Sequence, residues 1–373
     1  MAAEYIPACG ERTDEMMENS VIKQGRIAWI DALRGFAMWL VVIMHVQFFS
    51  GSQSTVYNTL IAWMFMPLFF FVSGLVMYNP NRQWTAHSVE TYLWKKVQQI
   101  LVPTVIMFLL AIWILGYNLV EASLHPMKFG YWFTITLFGF IALYVLFEWL
   151  MQVVKVGNRG WLVCLVVLTV VFSLLLSRHG LYTRMFGDGA MVWFDALQIG
   201  KWSYLQFFVL GILVRKYKDV FLRLLSNKYA MGIVIVAYVL MAVVNVKGLP
   251  SGGIQRYLAA VCVRLLPYAS ICIVTALFCS MRQFWSDSRT GKALQVVGSN
   301  TLGIYLIHYF FLAGNWSFLR TISTNTPPRS ATDCIRPVGS RNNSLLYGCY
   351  SCDSLESVSR KIYDRGQGKK SLK

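Results

Sequence analysis

The sequence predicts an all-α, polytopic transmembrane helical bundle, and three observations predict it. Hydrophobic residues make up 56% of the 373 positions and charged residues only 14%, whereas soluble domains carry about 25% charged residues. Apolar runs of the roughly 20 residues needed to cross a hydrocarbon core recur along most of the chain. These runs lack the alternation of apolar and polar residues that a β-barrel needs, so backbone polar groups must be satisfied within helices.

Nine apolar segments are predicted as spanning helices. They follow a polar leader at residues 1–24, which we expect to be cytoplasmic, and they form a transmembrane domain at residues 25–316. In chain order the predicted spans are residues 27–49, 57–78, 97–116, 131–151, 161–177, 191–214, 229–246, 257–280 and 294–313.

The distribution of Lys and Arg predicts the topology. Basic residues are concentrated in alternate loops, which are expected to lie on the cytoplasmic side. The loop at 50–56 has no Lys or Arg and the loop at 121–130 has only Lys128, which places them outside and the amino terminus inside. The net charge of +17 is therefore attributed to membrane topology, and no nucleic-acid partner is predicted.

The tail at residues 317–373 departs from this pattern. It is basic and rich in Ser, Arg and Asn, and nine spans from an inside start would leave it outside, against the charge rule. Two explanations remain open: a genuine extracellular or disordered tail, which its low hydrophobicity allows, or a shifted reading frame that replaced a tenth span. The abrupt change of composition and the topological conflict favour the second.

Ionisable residues in the first predicted span are candidates for function, because a charge in the membrane is costly and requires a reason. Arg34 and His45 are eleven residues apart, about three helical turns, so they share one face at a separation of roughly 16 Å. Asp31 lies one turn from Arg34 and is placed to orient or neutralise it. The structural alternative is an Asp–Arg pair near the interface and a histidine hydrogen-bonded between helices.

These residues carry a family resemblance. The sequence DALRG at 31–35, followed by His45, and FFFVSGL at 69–75 resemble motifs of the membrane acyltransferase family 3, in which an Arg precedes a His by eleven positions. FFVLGILVR at 207–215 and GSNTLGIYLIH at 298–308 are similar to later family motifs. The resemblance covers about residues 26–313 and implies ten spans, one more than this chain provides.

The resemblance implies transfer of an acyl group, commonly acetyl from cytoplasmic acetyl-CoA, to a hydroxyl of a cell-surface polysaccharide, a lipopolysaccharide or a lipid-linked sugar. A plasma (inner) membrane location is expected as well. No metal is expected, because Cys349 and Cys352 have only Cys334 nearby in a tail without His, whereas structural zinc requires four ligands. On matching positions, His45 would be the general base, because an imidazole titrates near working pH. Arg34 would bind an anionic part of the acyl-CoA, since a guanidinium matches phosphate geometry. Asp31 would support Arg34.

Further candidates are less specific to the family pattern. Lys95 and Lys96 precede a stretch with Gln where the family has Arg, so they are candidate anchors for CoA phosphates or, equally, an ordinary positive-inside flank. Four other residues are candidates for substrate binding, although His308 also fits a packed histidine and the tryptophans also fit membrane-interface residues: Ser73, His308, Trp193 and Trp202.

Two other functions remain open from the sequence. A secondary transporter of a small anionic or amphiphilic solute would use Arg34 to bind the anion and His45 to couple to protons. An acyltransferase made inactive by loss of its tenth helix is the other possibility. Labelled acetyl transfer in membranes favours the enzyme, whereas vesicle uptake without acyl loss favours the transporter.

Overall fold

A computed structural model describes residues 27–50, 60–115, 118–125, 127–176, 179–187, 191–247 and 253–313. Across these ranges the chain is helical, and none of them contains a strand. The all-α prediction is therefore confirmed. The polar leader at 1–24 and the tail at 317–373 lie outside the described residues.

The helical part of the chain divides into two units. The helices of the first unit are α1 (Ala28–Ser50), α2 (Phe65–Met77), α10 (Leu205–Lys216), α11 (Lys218–Ser226), α12 (Lys228–Lys247), α13 (Gly253–Ser280), α14 (Arg282–Asp287), α15 (Arg289–Ser299) and α16 (Thr301–Ala313). Two of these helices begin in the second unit: α10 belongs to the first unit from Phe207 onward, and α13 from Val261 onward. The second unit contains α3 (Ala86–Lys96), α4 (Val102–Leu115), α5 (Leu119–Leu124), α6 (Trp132–Val153), α7 (Asn158–Val170), α8 (His179–Phe186) and α9 (Met191–Ala196).

Six helical segments in the described residues are long and apolar enough to cross a membrane. They correspond to six of the nine predicted spans and comprise Ala28–Gln47, Leu60–Met77, Ala86–Ile114, Trp132–Val153, Lys228–Val246 and Gly253–Ser280. Two further predicted spans are represented by shorter apolar helices, Asn158–Ser173 and Thr301–Phe311. The chain is thus a multi-pass membrane protein.

Exposed apolar surface on these helices supports the membrane assignment. Val236, Val239 and Leu240 of α12 are each more than half exposed, and so is Trp113 of α4, at 79%. Soluble proteins rarely expose contiguous apolar surface on this scale, so lipid is the expected neighbour of these faces.

The third predicted span begins earlier in the structure than its apolar run. A capping box formed by Thr85 and Ser88 starts α3 in polar sequence, and a π-helical turn at Val97–Leu101 joins α3 to α4. Pro103 follows this turn. In a regular α-helix a proline ring clashes with the carbonyl group four residues earlier, and the wider π-helical turn relieves this clash. Lys95 and Lys96, expected in a loop, therefore lie in the last turn of α3.

Two predicted spans are broken in the structure. Residues 191–214 were expected to form one helix, but α9 ends at Ala196 and a 3₁₀ helix at Ile199–Tyr204 precedes α10. Between α9 and this 3₁₀ helix, Gln198 adopts a left-handed backbone conformation with a φ of 60°, which a right-handed helix cannot contain. Residues 294–313 are likewise divided, because α15 ends at Ser299 and α16 begins at Thr301.

Close helix contacts in the first unit depend on glycine. A Cβ on Gly35 would lie 1.9 Å from the carbonyl oxygen of Leu294, and one on Gly298 would lie 1.8 Å from that of Asp31. Small residues allow helix backbones to approach in membranes. The contact between α1 and α15 therefore sets the part of α1 that carries Asp31 and Arg34 directly beside the segment leading into α16.

Candidate active site

Arg34 and His45 of α1 both face α16. Nη2 of Arg34 donates a hydrogen bond to Oγ1 of Thr301, at 3.3 Å, and Nε2 of His45 lies 2.7 Å from the hydroxyl of Tyr309. The contacts advance in the same direction along both helices, so α1 and α16 run parallel. The face of α1 that carries Arg34 and His45, called the stripe below, is thus directed at one neighbouring helix.

The Arg34 guanidinium is held at the start of this stripe. Its Nη1 lies 3.6 Å from Oδ1 of Asp31, one turn earlier, and the two side chains are 32% and 15% exposed. Together with the bond to Thr301, this ion pair fixes the orientation of a planar fork of donors. A partly exposed pair of this kind contributes little to stability, about 0–1 kcal/mol, so orientation is its larger effect.

The hydrogen bonds of His45 define which ring nitrogen is basic. Nδ1 lies 2.7 Å from the carbonyl oxygen of Val41, which can only accept, so Nδ1 carries the proton. In the neutral ring Nε2 then holds the lone pair, and the Tyr309 hydroxyl donates to it. The nitrogen suited to receive a proton therefore faces α16 and not the backbone of α1.

A second imidazole lies against the first. The ring centroids of His45 and His308 are 5.0 Å apart, and that of Tyr309 is 4.1 Å from His308. Nδ1 of His308 donates to the carbonyl oxygen of Tyr305, at 2.7 Å. Nε2 of His308 is buried and has no hydrogen-bond partner among the residues that the structure describes.

The sequence of α16 explains why these groups converge. Thr301, Tyr305 and His308 recur at intervals of four and three residues, which places them on one face of a helix. Tyr309 follows His308 and lies at the edge of that face. Sequence reasoning selected His308 but missed Thr301 and Tyr309, although both fall in or next to the motif that ends at His308.

The other predicted site residues have different surroundings. Ser73, in the first unit, donates its hydroxyl proton to the carbonyl oxygen of Phe69 in its own helix, at 2.8 Å. In the second unit Lys95 is exposed, and Nζ of Lys96 donates to Oε1 of Gln99, at 3.3 Å.

The two candidate tryptophans differ from each other. Trp193 is 61% exposed. The Trp202 ring packs against Phe140 and Phe172, with centroids 5.5 and 4.9 Å away. Trp202 is therefore part of an aromatic cluster in the second unit, whereas the Trp193 ring is accessible for stacking.

Glu148 of α6 has a hydrogen-bond partner on α7. Its Oε1 accepts a hydrogen bond from Nε1 of Trp161, at 3.0 Å. The carboxylate therefore joins α6 to α7 within the second unit, and the described residues show no ion pair between it and Lys155. Its role there is structural.

His125 and Lys128, in the second unit, precede α6 and interact electrostatically with Asp195 of α9. Burial lowers the pKa of Lys128, and Asp195 opposes this shift by attraction. Burial is also the main cause of the lowered pKa of His125. Nζ of Lys201 lies 4.8 Å from the ring centroid of Trp132.

The arrangement in the first unit is suited to acid–base chemistry. Groups of three or more His, Cys, Asp or Glu side chains placed to hold a metal do not occur in the described ranges. The unit offers an oriented guanidinium, one imidazole with a directed lone pair, and a second imidazole whose Nε2 has no hydrogen-bond partner in the described part of the chain.

Comparison with known proteins identifies one family. A family model described as an acyltransferase domain matches residues 27–337, which is most of the chain. No curated protein and no solved structure matches. The matched region includes α1 and α16 with all the groups of the candidate site.

Proposed function

The chain belongs to the acyltransferase family 3, and from that premise we propose that it is a membrane O-acyltransferase. The acyl group, acetyl in the first instance, would come from acyl-CoA on the cytoplasmic side. The acceptor would be a hydroxyl of a cell-surface glycan or a lipid-linked sugar, such as a polysaccharide or lipopolysaccharide precursor. The family assignment also decides against the transporter that the sequence left open.

The observation that carries the proposal is the direction of the His45 lone pair. A general base must direct a lone pair along the path by which the proton reaches it. Because Nδ1 of His45 is committed to the Val41 carbonyl, Nε2 is the basic nitrogen, and it points at α16 within a stripe that also contains Arg34. Removal of the acceptor proton lets the hydroxyl oxygen attack the thioester carbonyl.

Arg34 supplies the complementary part of the proposal. A guanidinium held by Asp31 and Thr301 presents donors in a fixed plane, which suits a phosphate group of CoA. Lys95 and Lys96, in the second unit, are proposed as additional anchors for CoA phosphates. With the amino terminus on the cytoplasmic side of the plasma (inner) membrane, Arg34 would face the side on which acyl-CoA is found.

His308 completes the proposed acceptor site. Its Nε2 is a buried acceptor atom, and a buried acceptor without a partner costs about 1–3 kcal/mol. A hydroxyl of the acceptor sugar next to the reacting one would donate to it. Ser73, Trp193 and Trp202 are also proposed as substrate-binding residues.

The proposal is tested by replacing the base. We expect His45→Ala to lower labelled acetyl transfer in native membranes by at least about 100-fold, the usual range for loss of a general base. His87→Ala removes an exposed imidazole of α3 and serves as the matched control. Cells lacking the gene should also lose an ester from their surface glycans. Full transfer by the His45→Ala protein, at equal membrane abundance, would refute the proposal.

A further inference from the structure

The His45 lone pair is already occupied in the structure. The Tyr309 hydroxyl lies 2.7 Å from Nε2 of His45 and is the group that donates to it. An acceptor hydroxyl can therefore reach His45 in only two ways. It can displace Tyr309, or it can give its proton to the Tyr309 oxygen while Tyr309 gives its own proton to His45.

The packing of the Tyr309 ring decides between these two routes. The ring lies against both imidazoles, with centroids 4.9 Å from His45 and 4.1 Å from His308. Tyr305 contacts it from the same helix, with a centroid distance of 6.4 Å. Displacement would break these ring contacts together with the hydrogen bond, whereas transfer through the hydroxyl leaves every heavy atom in place.

We propose that Tyr309 is a catalytic proton relay between the acceptor hydroxyl and His45. This inference rests on the proposed function and assigns the atom that the acceptor hydroxyl contacts. The Tyr309 oxygen is the acceptor for the substrate proton, and the unpartnered Nε2 of His308 accepts from a neighbouring hydroxyl. A sugar with two adjacent hydroxyls satisfies both atoms at once, so a vicinal diol is the substrate class that fits.

The proton and bond changes balance without any further reactant. The acceptor proton moves to the Tyr309 oxygen as the Tyr309 proton moves to Nε2 of His45. The acceptor oxygen then forms a bond to the thioester carbonyl carbon. When the carbon–sulfur bond breaks, the leaving thiolate takes its proton from His45 by the reverse path, which regenerates the starting state.

The test combines a variant with an isotope measurement on the full chain in native membranes. Tyr309→Phe keeps the ring and removes the relay oxygen, so we expect kcat to fall by about 100-fold or more with both KM values within about threefold. Tyr268→Phe removes a hydroxyl from a ring that packs on Phe207 in the same unit and is the matched control. A Tyr309→Phe enzyme with kcat within threefold of wild type would overturn the relay.

Single-turnover rates in mixtures of light and heavy water provide a second readout that does not depend on the folding of any variant. Two protons moving together predict a curved dependence on the deuterium fraction for the wild-type enzyme, and a linear dependence overturns the relay. His45→Ala separates the two ideas. Loss of transfer in His45→Ala with normal transfer in Tyr309→Phe refutes the relay alone, whereas normal transfer in both refutes the proposed function.

Discussion

The unpartnered nitrogen of His308 has opposite consequences for stability and for binding. A buried polar atom without a partner lowers the free energy of unfolding, and it becomes satisfied only when a ligand donates to it. Nδ1 of the same ring is fixed by the Tyr305 carbonyl, so the ring cannot turn to exchange its nitrogens without losing that bond. A residue that costs stability in this way is expected where binding requires it.

His308→Phe tests this residue directly. Phe keeps the ring contacts with Tyr309 but removes the buried acceptor, so we expect melting temperature in detergent to stay equal or rise. The KM for the acceptor should increase about three- to tenfold, the equivalent of one hydrogen bond of roughly 0.5–1.5 kcal/mol. The KM for acyl-CoA should not change. An unchanged KM for the acceptor would show that His308 is only a packed histidine.

Residue-level reasoning from sequence reached part of this site. Arg34, His45 and Asp31 could be selected because a charge in an apolar helix is costly and therefore conspicuous. Tyr309 gave no such signal, because a tyrosine in an apolar helix is equally typical of a packed core or a membrane interface. Its contact with His45 joins positions 264 apart in the sequence, which only the folded chain brings together.

At the scale of the helices, glycines connect the motifs in pairs. A Cβ on Gly74 would lie 1.9 Å from the carbonyl oxygen of Phe208, and one on Gly211 would lie 2.0 Å from that of Phe71. The motif at 69–75 therefore packs on the motif at 207–215, as the motif at 31–35 packs on Gly298. This pairing gives a physical reason for glycine in stretches that otherwise consist of large apolar residues.

Gly74→Ala tests the pairing of α2 with α10. The added methyl group would collide with backbone, which cannot move aside as a flexible side chain would, and overpacking of this kind costs roughly 1–3 kcal/mol. We expect a lower melting temperature of the detergent-solubilised protein. Gly303→Ala is the matched control, because its added Cβ meets nothing within 4 Å apart from its chain neighbours and the backbone of its own helix. Equal melting temperatures for both variants would contradict the close contact.

Hydropathy predicted most helices and missed their interruptions for a physical reason. An apolar average over about 20 residues records burial in lipid but not backbone geometry. The breaks at Gln198 and Asn300 depend on one or two residues, and polar side chains there are too few to change the average. The third span was predicted to begin too late, because a capped polar helix, α3, precedes the apolar run.

At the scale of the whole molecule, the parallel course of α1 and α16 agrees with the predicted topology. The sequence placed these helices in the first and ninth spans, which cross the membrane in the same direction when each span reverses the chain. The contacts from Arg34 to Thr301 and from His45 to Tyr309 require that direction. With both helices crossing the membrane, their parallel course requires an odd number of crossings between them, and the predicted spans two to eight provide such a number.

Tag accessibility tests on which side of the membrane each end of the span Ala86–Ile114 lies. Arg82 precedes the span Ala86–Ile114, and Lys95 and Lys96 lie in its amino-terminal half, whereas residues 116–130 at its other end contain Lys128 as their single Lys or Arg. Since basic residues are retained on the cytoplasmic side, a tag inserted at Asn81 should be reached only after the cells are opened. A tag inserted at Glu121 should be reached in intact cells, because one spanning helix separates the positions. Labelling of Asn81 from outside would reverse the topology and place Arg34 on the side opposite to cytoplasmic acyl-CoA.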